Sequence, residues 1–276
     1  MLMEAVATPI IKWVGGKSRL LAELVPRVPT KYGRYFEPFC GGAALFFRLG
    51  PQRAVLADAN RDLMTTYEAV RDDSGAVVRI LSKHAKAHSK NHFYTTRDHW
   101  NAGRIRTKLA RAAAFIYFNK TCFNGLWRVN RDGAFNVPMG RYTDPPICVP
   151  DALRVAGVAL LSAELRRADY HVAVADAERG DFVYFDPPYD PVTTTSNFTG
   201  YTAAAFDAED QHALAELARS LVRRGVRVLL SNSDTPRVRA LYRGFKLDRV
   251  KCARSINSDA TKRGAVNELI IVGDPS

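Results

Sequence analysis

Long apolar runs and paired cysteines are both missing from this 276-residue sequence, and each absence excludes a class of protein. No uninterrupted apolar segment approaches the roughly 20 residues that a membrane-spanning helix needs. Residues 1–13 show no basic start followed by an apolar core, so we expect no secretory signal. The four cysteines are scattered, without a close pair at metal-ligand spacing: Cys40, Cys122, Cys148 and Cys252. The sequence therefore predicts a reduced, cytoplasmic protein without structural zinc.

The histidines form no constellation of metal ligands either. Three of the six, His84, His88 and His92, recur at a spacing of four, which places side chains on one face of a helix. This spacing favours an exposed polar helix face over a metal site, and we expect no bound metal.

Acidic residues are outnumbered, with 28 Asp/Glu against 40 Lys/Arg and a net charge of +12. The excess is uneven, because residues 71–150 contain 14 Lys/Arg and 5 Asp/Glu, a net of +9, and the rest of the chain carries only +3. A basic surface of this kind indicates a polyanionic partner. Charge alone leaves a merely solvated basic face as the alternative.

The first 65 residues contain the pattern of a nucleoside site. Residues 35–42 are predicted to form a strand and then a tight turn that ends in Phe39-Cys40-Gly41-Gly42, whose glycines allow a ligand to approach the backbone and the start of the next helix. The next predicted strand ends at Asp58, where an acid can bind ribose hydroxyls. A helix N-cap at Asp58 or Asn60 is a compatible alternative.

The rest of the periodicity predicts an α/β chain with an insert. We expect helices at 18–25 (ended by Pro26), 43–49, 61–70, 107–118, 151–167 and 207–223. Further strands are expected at 53–57, 170–175, 182–185 and 226–230, followed by an antiparallel pair at 245–252 and 266–272. Within the insert, residues 119–142 mix turn formers with Arg, Asn and aromatic residues, which read base edges and stack on bases. The Asp132-Gly133 dipeptide predicts a β-hairpin there.

Asp186-Pro187-Pro188-Tyr189 ends an apolar run at 182–185. Proline lacks the N–H that a central strand needs, so the strand should end at Asp186. Open α/β sheets place their chemistry at the carboxyl ends of strands. The four residues alone are equally compatible with an acid-capped turn.

Together these motifs resemble the Dam-type, α-group DNA adenine-N6 methyltransferases, which include the adenine methyltransferases of GATC-specific restriction systems. The resemblance covers nearly the whole chain and rests on the order of its motifs: Lys12-Trp13-Val14-Gly15-Gly16-Lys17, Phe36-Glu37-Pro38-Phe39-Cys40-Gly41-Gly42, Asp58-Ala59-Asn60, Phe123-Asn124-Gly125-Leu126, Phe135-Asn136-Val137-Pro138, Asp186-Pro187-Pro188-Tyr189, Asn197-Phe198-Thr199 and Arg254-Ser255-Ile256. One departure is Pro-Phe-Cys-Gly-Gly, where the wider superfamily has Phe-x-Gly-x-Gly.

The resemblance implies a Rossmann-like class I S-adenosylmethionine-dependent methyltransferase sheet. The catalytic domain would comprise residues 1–65 and 149–276, and residues 66–148 would form an inserted, mostly helical target-recognition domain that carries a β-hairpin. Carried over by position, the residues that bind S-adenosylmethionine would be Trp13, Lys17, Phe39, Cys40, Gly41, Asp58 and Asp186.

The resemblance also gives Asp-Pro-Pro-Tyr its chemistry. Asp186 and the Pro187 carbonyl would accept hydrogen bonds from adenine N6, localise its lone pair and direct in-line attack on the methyl group. Tyr189 would stack on the base, which has to be flipped out of the duplex. The methyl donor is already activated, so this chemistry needs no metal.

Double-stranded DNA is the partner that the resemblance implies. Arg128 is the first candidate for reading a guanine, because arginine pairs with guanine O6 and N7. Phe123 and Trp127 are candidates to intercalate, stack or pack, with packing favoured for Trp127. The resemblance points to Asn124, Leu126, Arg128, Pro138 and Arg141 as DNA contacts, and we expect Lys120 to contact DNA in a way that affects affinity evenly for all sequences.

Three functions remain open from sequence: a DNA adenine-N6 methyltransferase on GATC-like sites, a methyltransferase of RNA adenine or cytosine N4, and a basic nucleic-acid-binding regulator that has lost catalysis. Asp186 and the large insert favour the first, and intact Asp58, Asp186 and Tyr189 argue against the third. The resemblance further implies a bacterial or phage protein at the nucleoid. It leaves open a cognate restriction endonuclease system as a partner without direct contact.

Overall fold

The computed structural model describes residues 7–191, 206–253 and 265–275, and a seven-stranded sheet lies at its centre. The strands are β1 (Tyr35–Glu37), β2 (Ala54–Asp58), β3 (Ala163–Arg167), β4 (Phe182–Phe185), β5 (Arg227–Ser233), β6 (Lys246–Ala253) and β7 (Ala265–Gly273). Their order is β3-β2-β1-β4-β5-β7-β6. Neighbours from β3 to β5 pair in parallel, whereas β7 runs antiparallel to β5 and β6. This arrangement confirms the Rossmann-like α/β sheet and its closing antiparallel pair.

Helices cover both faces of the sheet. They are α1 (Leu21–Leu24), α2 (Ala44–Leu49), α3 (Arg61–Lys86), α4 (Lys90–Asn101), α5 (Lys108–Thr121), α6 (Pro150–Leu160), α7 (Tyr170–Ala173), α8 (Ala208–Arg223) and α9 (Pro236–Leu241). Successive strand residues point to opposite faces, so Leu56 packs in one core with Phe115 of α5. Its neighbour Val55 packs in the other core with Leu214 of α8. None of the helices in the described ranges has the length and apolar character that a bilayer crossing requires.

Two predictions around β3 were wrong. The helix predicted at 151–167 ends at Leu160, and β3 occupies the end of that range. Because β3 is an edge strand with mostly polar, partly exposed residues, it lacks the apolar signal of a buried strand. The strand predicted at 170–175 is instead α7, whose N-cap Asp169 accepts a hydrogen bond from the His171 N–H.

Other helix boundaries also differ. The helix predicted at 18–25 is a 3₁₀ turn, then α1, then a second 3₁₀ turn at Val25–Arg27 that contains Pro26. Proline is tolerated there because the first turn of a helix has no need of its N–H. The helix predicted at 61–70 continues to Lys86 across a kink at Asp73, so α3 carries the chain out of the sheet and into the insert.

The predicted hairpin is present only in reduced form. Val129 and Phe135 form an isolated antiparallel bridge, and the Asn130 N–H donates to the Ala134 carbonyl at 2.9 Å. Gly133 supplies the left-handed backbone of the turn, with φ of 77°. A second isolated bridge joins Cys122 to Met139. Neither arm forms a strand, and we call residues 122–142 the recognition segment.

The expected exposed histidine face was wrong as well. His84 and His88 lie at the end of α3 and in the turn after it, and His92 lies on α4, so the three do not share one helix. They surround Tyr117: His84 Nδ1 is 3.0 Å from His92 Nε2, and His88 Nδ1 is 3.0 Å from the Tyr117 hydroxyl. Burial, followed by the proximity of His92, lowers the pKa of His84 to about 4.

The motifs at 197–199 and 254–256, and most of the basic loop at 253–264, lie outside the described residues.

Candidate active site

The carboxyl ends of β2, β1 and β4 lie side by side because these strands are neighbours in the sheet. Strand β1 pairs with β2, the next strand in the chain, on one side and with β4 on the other. The connections therefore diverge between β1 and β4, which makes this edge a topological switch point. Ligands of open α/β sheets bind in the crevice at such a point. Asp58 ends β2 and Asp186 follows β4, so the fold places the two predicted carboxylates at this crevice.

Asp58 is held by the backbone of two turns. Its Oδ2 accepts from the Gly41 N–H at 3.1 Å, and its Oδ1 accepts from the Asn60 N–H at 2.8 Å. Burial raises the pKa of the Asp58 carboxyl from 3.8 to about 6, although these two bonds favour its ionised form. Asn60, not Asp58, is the N-cap of α3, because its side chain accepts from the Leu63 N–H. The Asp58 side chain therefore does not cap α3.

Gly41 is required by the close approach of Trp13. Its φ is 44°, and a Cβ at this position would lie 2.5 Å from Trp13 Cδ1. The Gly41 carbonyl accepts from the Tyr67 hydroxyl at 2.6 Å, which fixes the turn from the side of α3. Trp13 also stacks on Phe115 of α5, at 6.4 Å between ring centroids. One indole therefore contacts both the glycine turn and the insert.

Phe39 and Cys40, the other two residues of the turn that were predicted to bind the cofactor, pack against other side chains. Phe39 packs on Tyr170 and Phe206, with ring centroids 5.1 and 5.8 Å away. The Cys40 thiol lies in the core, 3.8 Å from the Met64 sulfur. Burial raises the pKa of this thiol well above its ordinary value.

Asp186 makes two polar contacts at the end of β4. Its Oδ1 lies 2.5 Å from Lys17 Nζ and accepts from the Ser231 hydroxyl at 3.1 Å. Burial raises the pKa of the Asp186 carboxyl above its ordinary value, and Lys17 and Ser231 oppose this shift. Lys17 Nζ also donates to the Gly15 carbonyl at 2.6 Å. The lysine thus joins the N-terminal glycine loop to the carboxylate.

Tyr189 stands beside the same ammonium. Lys17 Nζ lies 4.5 Å from the Tyr189 ring centroid, and the Tyr189 hydroxyl donates to Glu268 at 3.1 Å. The carboxylate, the ring and the ammonium form one cluster, in which an amine is held against an acid and over an aromatic face. Trp13, Lys17, Gly41, Asp58, Asp186 and Tyr189 are the sequence-predicted residues that meet at this edge of the sheet.

The turn of the two prolines is fixed from below by buried amides. Gln211 Nε2 donates to the Pro188 carbonyl at 2.8 Å, and Gln211 Oε1 accepts from Asn232 at 3.0 Å. Asn232 Oδ1 in turn accepts from the Asp190 N–H at 3.0 Å. Buried amides with both ends satisfied hold a backbone in one geometry.

Sequence reasoning missed several groups of this site. Glu37 ends β1, accepts from the Tyr35 hydroxyl at 2.8 Å and is fully buried. Burial raises the pKa of its carboxyl to about 8. The signal for Glu37 was present, since an acid directly before Pro38 marks a strand end just as Asp186 does. Ser231 and Glu268 had no such signal, because pairing of distant strands brings them to the site.

The predicted DNA contacts do not join this cluster and lie on or beside the recognition segment. Asn124, Arg128, Pro138 and Arg141 are exposed, whereas Lys120 and Leu126 are half-buried. Arg128 Nε donates to Asn136 Oδ1 at 2.9 Å. Phe123 is 50% exposed, while Trp127 is 5% exposed. Trp127 packs between Phe115 and Phe135, which confirms the packing role predicted for it.

No group of three or more His, Cys, Asp or Glu side chains is arranged to hold a metal ion within the part of the chain that the structure describes. This edge of the sheet instead presents two half-buried carboxylates, a tight glycine turn, an indole and a lysine.

Comparisons with known proteins agree with this arrangement. The family model for D12 class N6 adenine-specific DNA methyltransferases matches residues 13–256. The chain is 39% identical over 267 residues to the type II methyltransferase M1.LlaDCHI of Lactococcus lactis subsp. cremoris, covering 95% of this chain and 94% of that protein.

Two further relatives match over almost their full lengths. The type II methyltransferase M.MjaIII of Methanocaldococcus jannaschii is 36% identical over 283 residues, which cover 96% of this chain and 98% of that protein. The DNA adenine methylase of Escherichia coli K12 is 36% identical over 267 residues, which cover 96% and 95%. The chain therefore belongs to the D12 class of N6 adenine-specific DNA methyltransferases, and the resemblance of its motifs to the Dam-type enzymes is confirmed.

Proposed function

We propose that the chain methylates N6 of adenine in duplex DNA, within GATC, after flipping the base out of the helix. The observation that carries the proposal is the Asp186 carboxylate, which holds the Lys17 ammonium at 2.5 Å. The same ammonium lies 4.5 Å from the Tyr189 ring centroid. A carboxylate and an aromatic face that hold an ammonium offer the two contacts needed by an amino group on a planar base.

The methyltransferase family implies S-adenosylmethionine as the methyl donor, and the crevice suits it. Asp58 offers a carboxylate to the ribose hydroxyls, and the Gly41 turn lets an adenosine approach the backbone. Trp13 and Lys17 reach over from the N-terminal loop, and Phe39, Cys40 and Asp186 complete the proposed pocket. When bound, this group supplies a sulfonium-activated methyl.

The protein's own contribution is to prepare the adenine amine. The N6 lone pair is delocalised into the ring, which makes the amine a poor nucleophile. Asp186 and the Pro187 carbonyl accept hydrogen bonds from its two N–H groups, and this localises the lone pair toward the methyl group. The amide network under Pro188 holds the acceptors in position, so that proximity and orientation provide much of the acceleration.

Base flipping is required because the amine cannot reach a buried carboxylate while its base is stacked in a duplex. Tyr189 is the proposed stacking partner, and its hydroxyl bond to Glu268 fixes the plane of its ring. The amine takes the place of the Lys17 ammonium, so Lys17 shifts from Asp186 toward the cofactor. This movement accords with the assignment of Lys17 as a cofactor-binding residue.

Residues 66–148 are the proposed target-recognition domain. Exposed Asn124, Arg128, Pro138 and Arg141 support this role, because base edges are read by side chains that are free to reach into a groove. Lys120 and Leu126 complete the proposed contact set. The half-exposed Phe123 ring, on the same segment, is free to stack between bases.

Methylation of a plasmid library, followed by modification-sensitive sequencing, tests the proposal. The expected result is N6-methyladenine confined to GATC. Another tetranucleotide would overturn the GATC assignment and retain the chemistry. N4-methylcytosine would overturn the target base, and the absence of DNA methylation by purified, folded protein that binds S-adenosylmethionine would overturn the function.

A further inference from the structure

One buried amide joins the N-terminal loop, residues 12–17, to the recognition segment. Asn119 lies in the last turn of α5 and is 1% exposed. Its Oδ1 accepts from the Lys12 N–H at 2.7 Å, and its Nδ2 donates to the Lys12 carbonyl at 2.7 Å. The same Nδ2 donates to the Gly125 carbonyl at 3.0 Å. A single side chain thus binds both backbone groups of Lys12 and one backbone group of the recognition segment.

The recognition segment and the N-terminal loop are in close contact at Gly125 and Lys12. A Cβ on Gly125 would lie 3.0 Å from both Cβ and Cδ of Lys12. This leaves no space between the recognition segment and the loop at this point. A displacement of Gly125 therefore has to move Lys12, or else break the bonds to a buried amide, which is costly.

The other end of the loop reaches the reaction centre. Trp13 lies against the Gly41 turn and Lys17 Nζ contacts Asp186. The loop is hence a short, continuous connection of six residues between the segment proposed to face DNA and the two proposed ligand sites.

We propose that Asn119 is a positioning residue that couples recognition of DNA to binding of the cofactor through the N-terminal loop. The inference rests on the proposed function, since it takes Trp13 and Lys17 as cofactor contacts and the recognition segment as a DNA contact. Thermodynamic linkage makes the coupling reciprocal: DNA that orders the recognition segment tightens cofactor binding by the same factor as the cofactor tightens DNA binding.

The test measures this factor by calorimetry. The Kd of S-adenosylhomocysteine is measured for the protein without DNA. It is then measured in the presence of a saturating duplex that contains the sequence on which the enzyme acts. In the unsubstituted protein the duplex should lower this Kd by about fivefold or more. Asn119→Ala should bring the ratio close to one, and its methyl transfer should show a raised KM for both substrates.

Two further variants guard against a folding defect. Asn119→Asp keeps the acceptor for the Lys12 N–H and loses both donated bonds, so it should reduce the ratio in part. Gly125→Ala presses on Lys12 from the other side and should reduce the ratio without removing the amide. Asn101→Ala is the matched control. Asn101 also binds both backbone groups of one residue, Phe135, but does not touch the loop. It should leave the ratio unchanged.

A ratio of one in the unsubstituted protein would overturn the coupling. An unchanged ratio in whichever of the three test variants retain a normal thermal melt would overturn the role of Asn119. Failure of the proposed function itself is distinguishable, because the unsubstituted protein would then show no methyl transfer and no binding of S-adenosylhomocysteine.

Discussion

The charged side chains at the carboxyl edge of the sheet and those on the recognition segment differ in their exposure to water. At the sheet edge the Glu37 carboxylate is buried and those of Asp58 and Asp186 are half-buried, and all three have a raised pKa because loss of contact with water disfavours their charge. On the recognition segment, Arg128 and Arg141 are exposed to solvent. The first region has largely withdrawn its acids from water, and the second keeps these two guanidinium groups in water.

The difference fits the role that we propose for each region. A reaction centre gains from groups that are fixed and dry before the substrate arrives, since they need no reorganisation during the reaction. A sequence reader gains from cations that remain hydrated until the correct base pairs replace water. The backbones agree with this division. Paired strands hold the acids, whereas isolated bridges and packed aromatics such as Trp127 hold the recognition segment.

The substitution with the largest expected effect on this difference is at Asp186. Asp186→Ala removes the acceptor for the adenine amine, and we expect methyl transfer to fall by about a thousandfold or more. Binding of duplex, measured by fluorescence anisotropy, should change by less than about threefold, because DNA affinity generally comes mainly from phosphate contacts, which we propose lie on the insert.

Ser231→Ala is the matched control for that experiment. It removes one neutral hydrogen bond to the same carboxylate, and it should lower single-turnover methylation by only about tenfold. Retained transfer by a clean Asp186→Ala preparation would show that the reaction centre lies elsewhere.

The pH dependence of stability tests the burial of the Glu37 carboxyl group. Its carboxyl pKa is about 8 in the folded chain against an ordinary value of 4.5, so between these values the folded state holds a proton that the unfolded state has lost. Stability should therefore fall as pH rises from about 4.5 to about 8, and stay level above that range with respect to this group. Glu37→Gln cannot ionise, so its free energy of unfolding should exceed that of the unsubstituted protein by a margin that grows by at least ~2 kcal/mol over this range.

Urea unfolding at pH 5, 7 and 9 measures that margin. The exposed Glu209 on α8 supplies the control, because Glu209→Gln should give a margin independent of pH. A constant margin for Glu37→Gln would mean that this carboxylate is charged in the folded protein.

Much of the sheet edge was predictable from sequence because its acids follow continuous apolar runs. Asp58 and Asp186 end strands that are almost wholly buried, and the following glycines or prolines mark the turn. The same reasoning failed at β3, where an edge strand has no apolar pattern to detect. It also failed for Ser231 and Glu268, whose positions depend on the pairing of β5 and β7 with distant parts of the chain.

The role of the insert in recognition stays a prediction, and its packing was less predictable than that of the sheet edge. Its Arg, Asn and aromatic residues indicated recognition, yet the packing of the three histidines around Tyr117 depends on how α3, α4 and α5 cross. Helical spacing carries no information on a neighbouring helix. Asn119 escaped notice for the same reason, since its partner Lys12 lies 107 residues away in the chain.

Arg128 sharpens the comparison on the side of recognition. Arg128→Ala should reduce discrimination at one base pair by roughly 1–3 kcal/mol, about fivefold or more, because the proposed bidentate pair with guanine is lost. Relative methylation rates on all single-base variants of the site measure this effect. The rate on the correct site should fall less than it does in Asp186→Ala, and an unchanged ranking of sites would contradict a reading role for Arg128.

Lys120 offers the smallest expected effect, and it tests whether the insert is uniformly a surface of free cations. Burial, followed by the nearby Lys12 charge, lowers the pKa of the Lys120 ammonium, so this cation is less free than Arg128 or Arg141. Lys120→Ala should lower DNA affinity about threefold for all sequences alike and reduce the salt slope by less than about one. Arg243→Ala is the control, since the turn before β6 lies at the opposite edge of the sheet from Asp186. A change of sequence preference in Lys120→Ala would place this half-buried lysine among the base readers instead of the phosphate contacts.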